Sequence, residues 1–231
     1  MTPPKSDLDV LTGDFIDAGM NENAAQIMVA ALQLFAQKGY AATTVREIVR
    51  SADVTNPMLY YYFDSKKGVF LALMDALITS MEESVTEVLE QTTGLKDQLR
   101  AIAAAHFDAC RNAPQVLRFV YSVHFGPIRS RPSYDLAGAY EGIHDLVFTV
   151  INEAFEGGEF RPRPGFDLQF LTERFMGLIS LHLMDVLTLY DQAESQDVFD
   201  ASVETYLGEA ALDEMLEFYF YGAGDLAMEA S

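Results

Sequence analysis

Two residue pairs have the spacing of metal ligands. Glu141-x-x-His144 matches the carboxylate–imidazole pair of helical di-iron sites. His106 and Cys110, at i and i+4, would put a nitrogen and a sulfur on one helix face. A di-iron site needs a second such pair on another helix, and the sequence holds none. Two ligands are also too few for zinc. Chance explains both pairs better than a helical metal-dependent enzyme does. A G-x-S-x-G elbow, a glycine-rich phosphate loop and a Cys-x-x-Cys pair are absent. No catalytic residue, metal or cofactor is expected.

The remaining chemistry is that of phosphates and bases. Tyr60, Tyr61 and Tyr62 follow one another, with Lys66 close behind. Each helical step turns ~100°, so three consecutive tyrosines cannot all be buried. A phenol hydroxyl donates to phosphate oxygens and its ring packs on sugars, which suits a nucleic-acid surface. One core tyrosine with two incidental surface ones fits these residues equally well.

The charge distribution permits that chemistry. The chain carries a formal charge of −20. Residues 38–67, however, hold Lys38, Arg46, Arg50, Lys66 and Lys67 against Glu47, Asp53 and Asp64, a local +2. At physiological salt, charges beyond ~8 Å are largely screened, so a local positive patch can bind phosphate inside an acidic chain. Long-range steering towards DNA would be poor. Half the residues are hydrophobic, enough for a substantial core. No apolar run approaches the ~18 residues of a membrane span, and the N-terminus lacks a secretory pattern. A single cysteine, Cys110, excludes an intrachain disulfide. A soluble, cytoplasmic protein is expected.

The elements that must position these groups are helices. Residues 1–20, with Pro3, Pro4, Gly13 and Gly19, read as a flexible arm with at most a short turn at 14–18. Ile27, Ala31, Leu34 and Phe35 share one face of a helix that stops at Lys38-Gly39. Thr44-x-x-Glu47 is a capping box that opens a second helix ending near Ala52. Thr55-Asn56-Pro57, a capping side chain with proline in the first turn, opens a third that runs to Phe63. A long fourth helix starts near Ser65. Further helices are predicted at about 95–112, 114–125, 135–157, 167–191 and 199–221. No strand alternation or repeat is present, so the fold class is all-α. It divides into a helix-turn-helix domain over 21–66 and a larger ligand-binding and dimerisation domain over 67–231.

Residues 24–75 closely resemble the N-terminal domain of the TetR family of repressors. The resemblance is carried by Ala31-Leu-Gln-Leu-Phe35, Gly39-Tyr40, Thr43-Thr44, Ile48, Val54-Thr55, Leu59-Tyr60-Tyr61-Tyr62-Phe63 and Ser65-Lys66. It implies a repressor that binds a pseudo-palindromic double-stranded DNA operator as a homodimer and releases it when a small-molecule effector binds. It also implies that Arg46 reaches a base edge, where a guanidinium fits guanine. Thr55, Asn56, Pro57 and Met58 then form the leading turn of the recognition helix. Thr44, Tyr60, Tyr62 and Lys66 fall at phosphate-contacting positions, and Tyr61 shares that surface. Asp53 stands where the family favours glycine, Lys67 where it favours an acid, and the first helix lacks a basic residue at its start.

The C-terminal helices add two expectations. The 167–191 helix is apolar on almost every side and the 199–221 helix has two apolar faces, so a partner chain must cover what the core does not. Polar groups on apolar helices mark an aromatic-lined pocket for a largely apolar effector. Its candidates are His106, Cys110, Arg118, Tyr121, His124, Phe125, Tyr140, His144 and Met176. The rival to a repressor is a helical ligand-binding or interaction module of the same fold that does not bind DNA.

Overall fold

The computed structural model describes residues 7–192 and 203–226. The helices are α1 (Asp7–Asp17), α2 (Glu22–Ala42), α3 (Val45–Ser51), α4 (Asn56–Phe63), α5 (Lys66–Glu90), α6 (Leu95–Asn112), α7 (Pro114–Phe125), α8 (Leu136–Glu156) and α9 (Leu168–Gln192). Residues 203–207 are helical, and α10 runs over Glu209–Ala223. Strand among the described residues is confined to a ribbon of β1 (Phe160–Pro162) antiparallel to β2 (Gly224–Leu226), with Phe160 opposite Leu226. Three-residue strands are too short to leave an alternating pattern, and the fold is all-α in character.

Local chemistry sets the helix ends. At Gly39 φ is +80°, which breaks helical geometry inside α2 where the glycine signal stands. The Thr44–Glu47 capping box is formed in both directions. Pro57 sits in the first turn of α4, but the Thr55 side chain makes no capping hydrogen bond, contrary to expectation. Two further differences are corrections. The expected arm over 1–20 contains α1, a helix that packs on α2 and is anchored by buried Phe15. The expected single helix over 199–221 is interrupted at Gly208, where a Cβ would stand 2.3 Å from the Glu204 carbonyl oxygen. The predicted break over 192–197 lies almost wholly outside the described residues.

The chain divides into two compact units, Met1–Ile78 with Asn112–Leu136, and Thr79–Arg111 with Ala137–Ser231. The division falls within α5 and not at residue 66, and α7 belongs to the first unit. An aromatic cluster explains that placement. Phe119 of α7 lies 5.9 Å from Phe35 and 5.7 Å from Phe70, ring to ring, and Tyr40 lies 5.3 Å from Phe70. Burying rings of this size dominates the stability of a small helical unit.

The second unit has its own core of Phe107, Val147, Ile151, Phe160, Phe175, Ile179 and Leu216. Tyr219 of α10 packs edge-on to Phe175 of α9 at 5.4 Å, and its buried hydroxyl donates to the Leu171 carbonyl. Arg100 of α6 pairs with Asp213 and Glu209 of α10. Glu159 accepts the Leu95 N–H at 2.8 Å and so caps the start of α6.

Candidate nucleic-acid interface

The interface is built on the corner between α2 and α3, the turn between α3 and α4, and the junction of α4 with α5. Thr44 has an extended backbone ahead of α3, and its Oγ1 accepts the Glu47 N–H at 3.3 Å. The Glu47 carboxylate accepts from the Thr44 N–H at 2.9 Å, the Thr44 hydroxyl at 2.8 Å and Lys38 Nζ at 2.5 Å. These hydrogen bonds, that from Lys38 foremost, pull its pKa down to about 2. The Thr44 hydroxyl proton is therefore committed to Glu47.

The turn into α4 passes through Asp53, whose φ of +52° is left-handed. Aspartate tolerates that region better than most side chains, which reconciles it with a position suited to glycine. Val54 then closes onto the Val49 carbonyl at 3.0 Å. Along α4, Leu59 is buried and points into the unit. Thr55, Asn56 and Pro57 are exposed at its leading edge and Met58 is half-buried.

The three tyrosines separate as the helical turn requires. Tyr60 is 50% exposed and Tyr61 81% exposed. Tyr62 is half-buried, and its hydroxyl donates to Asn21 Oδ1 at 2.8 Å. Asn21 is the N-cap of α2 and also accepts the Asn23 N–H at 3.0 Å, so one amide oxygen holds two helices together. The Tyr62 hydroxyl, expected at a phosphate, here ties α4 to the start of α2. No sequence signal could have linked residues 41 positions apart.

Lys66 is the largest departure. Its Nζ donates to the Tyr40 carbonyl at 2.8 Å and the Thr43 carbonyl at 2.7 Å, and it lies 4.0 Å from the centre of the Tyr40 ring. Burial lowers its pKa, and the Glu47 carboxylate opposes that shift. The ammonium that the resemblance places at a phosphate is here occupied by two backbone carbonyls and an aromatic face. Lys38, Arg46, Arg50 and Lys67 are the cations of this stretch that stand exposed, and Lys38 is paired with Glu47.

The α4–α5 junction is equally tight. Asp64 is left-handed, with φ of +59°. Ser65 Oγ accepts the Gly68 N–H at 3.0 Å and caps α5. A Cβ on Gly68 would stand 1.8 Å from the Phe63 carbonyl oxygen, so only glycine fits. Sequence reasoning missed Asn21, Asp64 and Gly68, none of which carries a motif.

The residues expected to line an effector pocket divide between the two units. Arg118, Tyr121, His124 and Phe125 lie on α7 in the first; His106, Cys110, Tyr140, His144 and Met176 lie in the second. Phe125 is 61% exposed and His124 is exposed beside it, 4.6 Å ring to ring. The His106 ring nitrogen Nδ1 lies 2.8 Å from the carbonyl of Ile102, one turn earlier, and burial lowers its pKa. Cys110 is buried and its thiol is pushed up to about 12 by desolvation, which keeps it protonated. His106 is half-buried with its ring nitrogen against a backbone carbonyl, and Cys110 is a core residue. Among the described residues no group of three or more metal-ligating side chains occurs. No helix there is long and apolar enough to cross a membrane.

Comparison with known proteins bears on this segment and on the fold. Residues 27–73 match the family model described as bacterial regulatory proteins, tetR family. The chain is 29% identical over 132 residues to the transcriptional activator FasR of Mycolicibacterium smegmatis, a match covering 57% of this chain and 60% of FasR. It is 24% identical over 159 residues to the transcriptional repressor KstR2 of Mycobacterium tuberculosis, covering 68% of this chain and 78% of KstR2. Its fold is similar to that of FadR from Bacillus subtilis, solved with stearoyl-CoA, at a TM-score of 0.66 and 19% identity, over 85% of this chain and 97% of FadR. Residues 27–73 are thus similar to the bacterial regulatory proteins of the tetR family, and the helices around them have a fold similar to that of FadR.

Proposed function

We propose that this protein is a DNA-binding transcriptional repressor, cytoplasmic and without catalytic activity, that leaves its operator when a small, largely apolar molecule binds. The observation that carries the reading is the outward surface of the first unit. Arg46, Arg50 and Lys67 are exposed there, with Asn56, Pro57, Tyr60 and Tyr61 on α4. Spread over α3, α4 and the start of α5, side chains of these types suit base edges and phosphates, as major-groove readout requires. Arg46 reads a base and Asn56, Pro57 and Met58 form the reading edge. Tyr60 and Tyr61 contact the backbone.

The operator is taken to be pseudo-palindromic, because two recognition helices are supplied by two copies of the chain. The second unit supports that assembly. Leu181 is 60% exposed and Met184 stands exposed one turn on; Phe218 is 68% and Tyr221 82% exposed on α10. Helices with that much apolar surface left uncovered by their own chain are suited to a second copy. An acyl-chain molecule is the first effector to try, since FadR was solved with stearoyl-CoA and has the same fold.

Fluorescence anisotropy with duplex DNA from beside the protein's own gene tests the reading. Saturable binding that weakens with added salt is expected, and loss of binding on titration with a long-chain acyl thioester. No binding to that duplex at low salt would leave the helical interaction module as the better account.

A further inference from the structure

Within this DNA-binding reading, we infer that Lys66 is a positioning residue: it ties the corner ahead of α3 to the first turn after α4 and so holds the two DNA-reading helices in mutual placement. The tie spans 26 residues to the Tyr40 carbonyl and 23 to the Thr43 carbonyl. Those two oxygens close the α2–α3 corner, where the chain has left helical geometry at Gly39. A lysine side chain is one of the few groups able to satisfy such carbonyls at once.

Both ends of the tie are packed. Thr43 is buried, with its hydroxyl donating to the Gly39 carbonyl at 2.9 Å. Tyr40 presents its ring to the ammonium from within the Phe35–Phe70 cluster. For Lys66 to reach a phosphate it would have to give up its bonds to both carbonyls and leave that of Thr43 without its donor, since the Tyr40 carbonyl alone also accepts the Thr43 N–H; that costs more than a surface phosphate contact returns. Arg46 and Thr44 lie just after one end of the tie, and Asn56–Tyr61 just before the other. Lys66 therefore closes the three-helix unit into a ring.

The test compares Lys66→Met with Lys67→Met in the full chain, using the duplex from beside the gene and an unrelated duplex at stepped salt. A phosphate contact contributes ~0.9 to the slope of log affinity against log salt and weakens all sequences alike. Lys67→Met is expected to behave so. For Lys66→Met the expected result is an unchanged salt slope and a preference for the specific duplex reduced roughly tenfold or more. Faster amide exchange over 40–46 and 60–68 is also expected, measured without DNA. A slope reduced by ~0.9, with equal loss on both duplexes and unchanged exchange, would overturn the assignment. If the wild-type chain binds neither duplex, the repressor reading fails, and unchanged exchange alone then overturns the tie. Should Lys66→Met not fold, Lys66→Gln keeps N–H donors without the charge. It is expected to retain most of the sequence preference, and a ~0.9 loss of slope in its place refutes the tie.

Discussion

At the scale of single residues, what was legible in the sequence was local. The Thr44–Glu47 box and Pro57 in the first turn of α4 are spacings of three residues or fewer, and backbone geometry imposes them wherever they occur. Lys66, Tyr62 and Gly68 act on partners brought close only by tertiary packing, so their roles leave no periodic trace. Two outcomes follow at this scale. Gly68→Ala should cost on the order of 2 kcal/mol, because a methyl cannot be placed 1.8 Å from a backbone oxygen without moving α5. A thermal melt within a degree of wild type would contradict it. The Glu47 pKa, about 2 against an ordinary 4.5, stabilises the folded state above the unfolded value. That contribution is fully present above about pH 4.5 and is lost as pH falls towards about 2. Glu47→Gln should therefore flatten the pH dependence of the melting temperature across that window, and a carboxyl titrating near 4.5 by NMR would rule this out.

At the scale of elements, helix starts were better marked than helix partners. Caps and glycine stops located α3, α4, α6 and α7 to within a residue or so of their observed ends. The N-terminal helix α1 escaped notice, since its one buried ring, Phe15, sits among acids and a glycine. On α9 the periodicity showed an excess of apolar residues but not which ones the chain itself covers. Leu171, Phe175, Ile179, Leu183 and Val186 turn inward, while Phe170, Leu181 and Met184 face out. If that outer strip receives a second copy, Leu181→Glu should yield monomers at micromolar concentration with the helical circular dichroism unchanged. Sedimentation velocity reads the result, and an intact dimer would move the interface elsewhere. An Ala substitution there should matter far less, because it empties the contact without placing a charge in it.

At the scale of the whole molecule, the charge asymmetry was plain in the sequence, whereas the effector site was not. The nine residues expected around a pocket come from four helices, and sequence periodicity carries no information on which helices share a cavity. The acidic balance of the chain has a counterpart at the recognition helix itself. Asp53 and Asp64 bracket α4, both in left-handed backbone and both exposed. Each holds a carboxylate beside a turn that, on the proposed reading, approaches polyanionic DNA, at a backbone position where glycine would be free of both strain and charge. Replacing the pair with glycine should lengthen the residence time of the complex, measurable as slower dissociation by stopped flow; faster dissociation would speak against it. On the proposed repressor reading such a bracket would trade grip for turnover: an occupant that lets go readily would be cleared from a promoter by a modest rise in effector, and would return as quickly once that signal fades.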